Sequence, residues 1–326
     1  MSSVFEIPTG IPNLTDQIAK DGRQALHGHS FKGTWNSPYE SSPVVVRFFD
    51  ILNVHDQEYI TKKGGHLRHK IKIWGRLQHE HILPLLGLFH GCGPLPGLVT
   101  PWMYNGTLTN IMRRRHNTLT RYERFCLLED IASALHYRMS SPVNLGILKY
   151  VPLPVHANAI VHGNLASFNV FVDSHGRGFV RCSGYSRMLG EIAVSETQET
   201  HPGDFRWAAP ELVKDRNNSS NRLPTSKSDV WSFGCIMIHI LSGRVPWSYI
   251  SSTPGVATRL VQNRVPQLPR EIATQDSSFL QQCFSVSPAD RPSADQILAF
   301  VREESSHCIN QTPQTATGVS FSQWNS

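Results

Sequence analysis

Residues 228–243 read SDVWSFGCIMIHILSG, a run of helix length with apolar residues on nearly every face. A helix at a protein surface confines its apolar residues to one stripe, whereas a helix apolar nearly all round must be enclosed on all sides. Ser228 or Asp229 offers an N-cap acceptor, and Gly243 can close the C-terminus in the left-handed conformation. The stretch therefore predicts a buried central helix, which requires a helical body around it.

The chain is long enough to build that body. Its 326 residues, 40% hydrophobic and 17% charged, suit a globular protein of two lobes. Short β-type runs dominate from about 24 to 100, clearest in PVVVRFF at 43–49 and LPGLVTPW at 95–102, and helical patterns take over from about 107. One helix interrupts the β-rich part: in HLRHKIKIWGRLQH, 66–79, Leu67, Ile71, Trp74 and Leu77 recur at helical spacing. A further helix is predicted over 120–137, TRYERFCLLEDIASALHY. Residues 138–159 carry three prolines and no period, and read as a surface loop insertion. Residues 1–22 and 304–326 lack periodicity, are rich in Ser, Thr, Gln and Asn, and read as flexible extensions. The expected class is α+β, with a small β-rich lobe holding one helix and a larger, mainly helical lobe.

The net charge of +6 permits an acidic partner without requiring one. Six cysteines, at 92, 126, 182, 235, 283 and 308, lie far apart without zinc-type spacing and read as reduced thiols. The N-terminus lacks the basic and apolar regions of a signal peptide, and no apolar run of about 18 residues occurs. The expected location is the cytoplasm, with the nucleus as alternative.

Around the central helix stand RWAAPEL at 206–212, SDVWSFGCIMIHILSGRVPW at 228–247 and CFSVSPADRPSADQIL at 283–298. In this order and spacing they resemble the C-terminal-lobe signatures of eukaryotic protein kinases, most closely the tyrosine-kinase-like branch. The resemblance covers about 24–302. It implies a two-lobed kinase fold at 23–303, with an N-lobe of about 23–103 and a C-lobe of about 104–303. It also implies that Glu211 and Arg291 form a buried ion pair, and that Asp229 holds the backbone of the catalytic loop. Thr100 would be the gatekeeper, and Pro101 to Met103 the hinge facing an adenine ring.

Phosphoryl transfer by such a fold needs a glycine-rich loop, a Lys–Glu pair, an acid near the nucleophile, and Asp plus Asn on magnesium. Here the glycine-loop positions hold Arg23, Ala25 and Gly28, so one glycine of three remains. The strand lysine becomes Arg47, a planar fork rather than a compact ammonium. Its helix partner becomes Lys70, and no Asp or Glu occurs from 59 to 79. HGNLASFN, 162–169, aligns with the catalytic loop: His162 and Asn169 are kept, while Gly163, Asn164 and Ala166 replace its Arg, Asp and Lys. An amide cannot accept the proton, and loss of such a base is worth about 10² to 10⁴ in rate. The magnesium motif reads Cys182, Ser183, Gly184, and a thiol is a poor ligand for a hard cation. Asn169 alone would be a weak one. With Gly163 in place of an arginine, Ser195, Thr197 and Thr200 would also lack the usual phosphate-docking partner.

The expected function is that of a pseudokinase, a signalling scaffold or allosteric module that binds protein partners. A nucleotide could enter at Gly28, Arg47, Thr100 and Met103; ATP is the candidate cofactor, and magnesium is not expected. The alternative is an atypical active kinase using Arg47, Asn169 and a remote acid such as Asp173 or Asp204. A third class, polyanion binding by Lys62, Lys63, Arg68, Lys70, Lys72 and Arg76, ranks below both, because a basic run is more often a solvated face.

Overall fold

Burial with a period of two along residues 41–47 explains why the first part of the chain is a sheet: Val44 and Val46 are fully buried, while their neighbours are half-buried or exposed. The computed structural model describes residues 8–26, 29–49, 56–140, 160–182, 204–213 and 224–311. The described residues fall into two units, one of residues 8–103 and one from 104 onward.

The first unit holds β1 (Ile18–Leu26), β2 (Ser30–Asn36), β3 (Ser41–Arg47), α1 (Gln57–Trp74), β4 (Gly87–Phe89) and β5 (Gly97–Pro101). The strands form one antiparallel sheet in the order β1-β2-β3-β5-β4. Its core gathers Leu14, Ile18, Val44, Val46, Phe89 and Val99. Two of these lie in the segment expected to be a flexible extension, and that expectation is corrected. The Leu14 N–H donates to the Leu88 carbonyl at 2.8 Å and the Leu88 N–H to Pro12 at 2.9 Å, so residues 12–14 cover the open edge of β4. A side chain at Gly87 would stand 2.7 Å from both the Leu14 side chain and the Pro12 carbonyl, so the close approach requires glycine.

Helix α1 begins nine residues before the sequence expectation of 66. Asp56 caps it, accepting from the Tyr59 N–H at 2.8 Å. Its buried face is Ile60, Gly64, Leu67, Ile71 and Trp74, and the glycine at the second of these positions hides the period in the sequence. Leu77, read as helical, is buried beyond the helix end. Glu58, exposed in the first turn, is a carboxylate on this helix that the window 59–79 left out.

The second unit holds α2 (Leu108–Arg115), α3 (Arg121–Ser140), β6 (Val170–Val172), β7 (Gly178–Val180), α4 (Ser226–Ser242), α5 (Thr253–Val261), α6 (Thr274–Cys283) and α7 (Ala294–Gln311). Helix α4 is the central one: every residue from Ser228 to Ile240 is buried. Its cap is Thr225 rather than Ser228 or Asp229. Thr225 Oγ1 accepts from the Ser228 N–H, and Ser228 Oγ accepts from the Thr225 N–H, a reciprocal box that starts the helix earlier. Gly243 ends it at φ 71°, where a Cβ would lie 2.3 Å from the His116 ring.

Two boundaries also move. Helix α3 runs through Arg138–Ser140, the first residues of the expected insertion; Arg138 is buried, and its carbonyl accepts from Ile160 at 2.8 Å. The rest of that insertion, 141–159, lies outside the described residues. Helix α7 passes the expected domain end at 303, and Glu304 and Ser305 are buried. The cause is Arg121, which grips Asp276 at 2.7 and 3.0 Å and Glu304 at 2.7 Å, joining α3, α6 and α7. Residues 312–326 lie outside the described residues. Among the described residues no helix is long and apolar enough to cross a membrane.

Asp276 is fully buried, so removing its partner strands a charge. Arg121→Ala is expected to destabilise the protein by about 3 kcal/mol. Ending the chain at 303, which removes Glu304, is expected to lower stability measurably as well. Urea unfolding measures both, and an unchanged midpoint after truncation would mean that 304–311 contributes nothing.

Candidate functional site

A stretch as rich in polar backbone as 160–169 can sit inside a protein only if each buried group finds a partner. Here the partners come from α4. The Asp229 carboxylate, 1% exposed, accepts from the His162 N–H at 2.6 Å and the Gly163 N–H at 2.8 Å. Burial raises its pKa to about 6, against the lowering effect of these two bonds. Gly163 has φ 72°, and a Cβ there would lie 3.0 Å from Pro224. The glycine standing at the arginine position is thus also a backbone requirement of this loop. Ser167 is tied to α4 as well, its Oγ lying 2.9 Å from His239 Nδ1.

His162 is buried, and burial lowers its pKa to about 3, so its ring is neutral. Its Nδ1 accepts from the Asn164 N–H at 3.2 Å, which leaves Nε2 to donate to the Arg181 carbonyl at 2.8 Å. With both nitrogens engaged, His162 braces the loop and is not a free base. Asn164 stands, half-buried, at the acid position. Its carbonyl accepts from Asn169 Nδ2 at 2.7 Å, which turns Asn169 Oδ1 the other way.

Asn169 Oδ1 accepts from Arg181 Nη2. Arg181 directly follows β7, is 7% exposed, and lies 5.6 Å from the Phe171 ring centroid. Its backbone N–H extends the hairpin pairing to the Asn169 carbonyl at 2.9 Å. Cys182 follows, also buried; Ser183 and Gly184 lie outside the described residues.

This arrangement does not fit magnesium. A divalent ion sharing Asn169 Oδ1 would meet the guanidinium at about 4 Å, a repulsion on the order of 8 kcal/mol at an effective dielectric near 20. The second ligand position holds a thiol where hard oxygen is needed. Among the described residues no three His, Cys, Asp or Glu side chains form a metal-holding group. Asp173, the remote acid of the active reading, is committed to the β6–β7 turn: its carboxylate accepts from the His175 and Arg177 N–H groups and pairs with the Arg177 guanidinium at 2.8 Å. Asp204 begins a short 3-10 turn.

Glu211 and Arg291 form a two-pronged ion pair at 2.7 and 2.8 Å. The Arg291 side chain is fully buried, donates also to the Ser285 and Lys227 carbonyls, and stacks 5.1 Å from the Trp231 ring centroid. In the first unit, Arg47 ends β3, paired with Ser30 and Leu98, and Thr100 on β5 pairs with Val45. The Trp102 N–H donates to the Pro43 carbonyl at 3.0 Å, and Met103 follows it. Gly28 lies outside the described residues. Lys62, Lys63, Arg68, Lys70 and Lys72 all lie on α1, with Arg76 just beyond its end. On that helix, burial and then Lys70 and Lys72 lower the pKa of His69.

Sequence reasoning missed Arg181. A lone basic residue before the CSG triplet carried no signal, because its meaning comes from the hairpin that sets it against Asn169.

A family model described as protein kinase domain matches residues 49–300. The chain belongs to the protein kinase family. Similar proteins include serine/threonine-protein kinase STY17 of Arabidopsis thaliana, 22% identical over 93% of this chain and 48% of that protein. Human ephrin type-A receptor 1 is 26% identical over 89% of this chain and 26% of that protein. Mitogen-activated protein kinase kinase kinase YODA of Arabidopsis thaliana is 31% identical over 45% of this chain and 16% of that protein. The chain thus spans less than half the length of each of these relatives. Within the kinase domain, the loop from His162 to Asn169 is pinned to α4 through Asp229 and His239.

The buried groups of this kinase domain also set a pH dependence. Burial depresses His162 to about 3 and His239 to about 4, so below pH 6.5 the unfolded chain binds protons that the folded one does not. Asp229, raised to about 6, opposes them, because between about 4 and 6 the folded state holds the extra proton. The net is about one proton taken up on unfolding, so stability falls by about 1.4 kcal/mol per pH unit from pH 6 to pH 4. Urea titrations at several pH values measure it, and His239→Gln is expected to reduce the slope by about one proton.

Proposed function

We propose that the protein is a catalytically silent kinase domain, a pseudokinase that serves as a binding or allosteric module in signalling and whose motifs lie nearest the tyrosine-kinase-like branch. One observation carries this reading. The loop hangs from Asp229 as a working loop would, yet Asn164 and Cys182 stand at its two acid positions. An amide and a buried thiol supply neither a proton acceptor nor a hard metal ligand. The protein partners it would bind are to be found by their effect on this fold, and nucleotide in the cleft of the family is a separate question.

A second reading, an active atypical kinase, is favoured by the comparisons, since STY17 and YODA are named as kinases and the match is to the kinase domain as such. It would depend on Arg47 for phosphate charge. Against it stands the commitment of Asp173 to its own turn.

The two readings separate in a thermal-shift titration with ATP, with and without magnesium, run beside a transfer assay with labelled ATP. The proposal expects no magnesium-dependent stabilisation and no transfer. It also expects Asn164→Asp to leave transfer undetectable, although the base alone is worth about 10² to 10⁴ in rate. Magnesium-dependent turnover by the unaltered protein, lost in Arg47→Ala, would establish the second reading instead.

A further inference from the structure

Among the described residues of the second unit, three arginine side chains are buried: Arg138, Arg181 and Arg291. Arg291 answers Glu211, and Arg138 lies near Asp229. Arg181 donates to the amide oxygen of Asn169. That oxygen, Asn169 Oδ1, is the one this family's loop would turn to a divalent ion.

We propose that Arg181 is the resident cation of this loop: its guanidinium occupies Asn169 Oδ1 in place of a divalent metal and excludes that metal from the loop. The inference rests on the non-catalytic reading and deepens it, because the site then lacks metal for two independent reasons, a missing carboxylate at 182 and a fixed positive charge at 181.

The geometry supports each step. Asn169 is 2% exposed and its amide is oriented by the bond from Nδ2 to the Asn164 carbonyl, so Oδ1 cannot turn away without breaking that bond. Arginine has donors only and stays protonated at any working pH, so it can face nothing but the oxygen of this amide. The guanidinium is held in turn by the backbone. The Arg181 N–H bonds to the Asn169 carbonyl at 2.9 Å, and its own carbonyl accepts from His162 at 2.8 Å, so residues 162, 169 and 181 form one connected group. The Phe171 ring beside the guanidinium adds a second favourable contact. The cation is therefore part of the loop's scaffold. A lost carboxylate could be restored by one substitution, whereas a cation built into the scaffold still repels the metal.

The test is metal binding by three forms of the full chain: unaltered, Cys182→Asp, and Cys182→Asp with Arg181→Met, which keeps the stem volume and removes the charge. The probe is Mn²⁺ alone, followed by its electron spin resonance signal. The unaltered protein and Cys182→Asp are expected to show no site, and the double variant a site at least about tenfold tighter than either. Binding by Cys182→Asp as tight as that of the double variant overturns the proposal. So does a folded double variant that binds no tighter than the single one. Should that double variant fail to fold, Cys182→Asp with Arg181→Leu carries the test: Mn²⁺ is expected to broaden the Asn169 side-chain amide resonance in that variant and not in Cys182→Asp alone, and equal responses overturn the proposal. Phosphoryl transfer by the unaltered protein would sink the non-catalytic reading, whereas metal binding by Cys182→Asp alone would sink only this inference.

Discussion

One carboxylate on the central helix holds the rest of the second unit in register. Asp229 receives the backbone N–H groups of His162 and Gly163 in a place that water does not reach. Hydrogen bonds to a charged acceptor contribute roughly 1.5–3 kcal/mol each, and the cost of burying the charge is visible in the raised pKa of about 6. From that point the loop runs through His162 to Arg181, through Ser167 to His239, and through Asn169 into the β6–β7 hairpin. Each link fixes the next, so a loop without regular secondary structure behaves as a rigid part.

The same helix is braced from outside by charges that meet opposite charges. Arg291 with Glu211 packs on Trp231 of α4, and Arg121 with Asp276 and Glu304 joins three helices around it. Replacing one member of such a pair strands the other in a poor solvent for ions, so the loss of a single partner is costly. The charges of the loop follow another rule. A catalytic acid or a metal ligand is not needed for the fold, and the loop is braced with Asn164, Asn169 and Arg181 as they stand.

Much of the fold is legible in local pattern. The valines at 44–46, the apolar sweep of 228–243 and the stripe of Leu67, Ile71 and Trp74 read correctly because a strand or helix repeats its burial within a few residues. Reading failed where burial depends on a distant partner. Leu14 is core only because β4 leaves an edge to cover, and the chain after 303 is held because Arg121, far away in sequence, reaches Glu304. Thr225 took the cap from Ser228 by a reciprocal bond whose two partners are both common in loops.

The candidate site divides along the same line. The sequence by itself determined what is missing, because the absence of Asp and Glu at 164 and 182 holds in any conformation, and it placed His162, Asn169, Asp229, Glu211 and Arg291 in the order of a kinase domain. Only the tertiary structure decided what stands in the vacated chemistry. Arg181 and Asn169 stand twelve residues apart, and neither residue type announces a partner. The β6–β7 hairpin pairs their backbones, and the bond from Asn169 to the Asn164 carbonyl then points an amide oxygen at the guanidinium. A missing charge is a property of composition, whereas a charge that takes another's place is a property of packing.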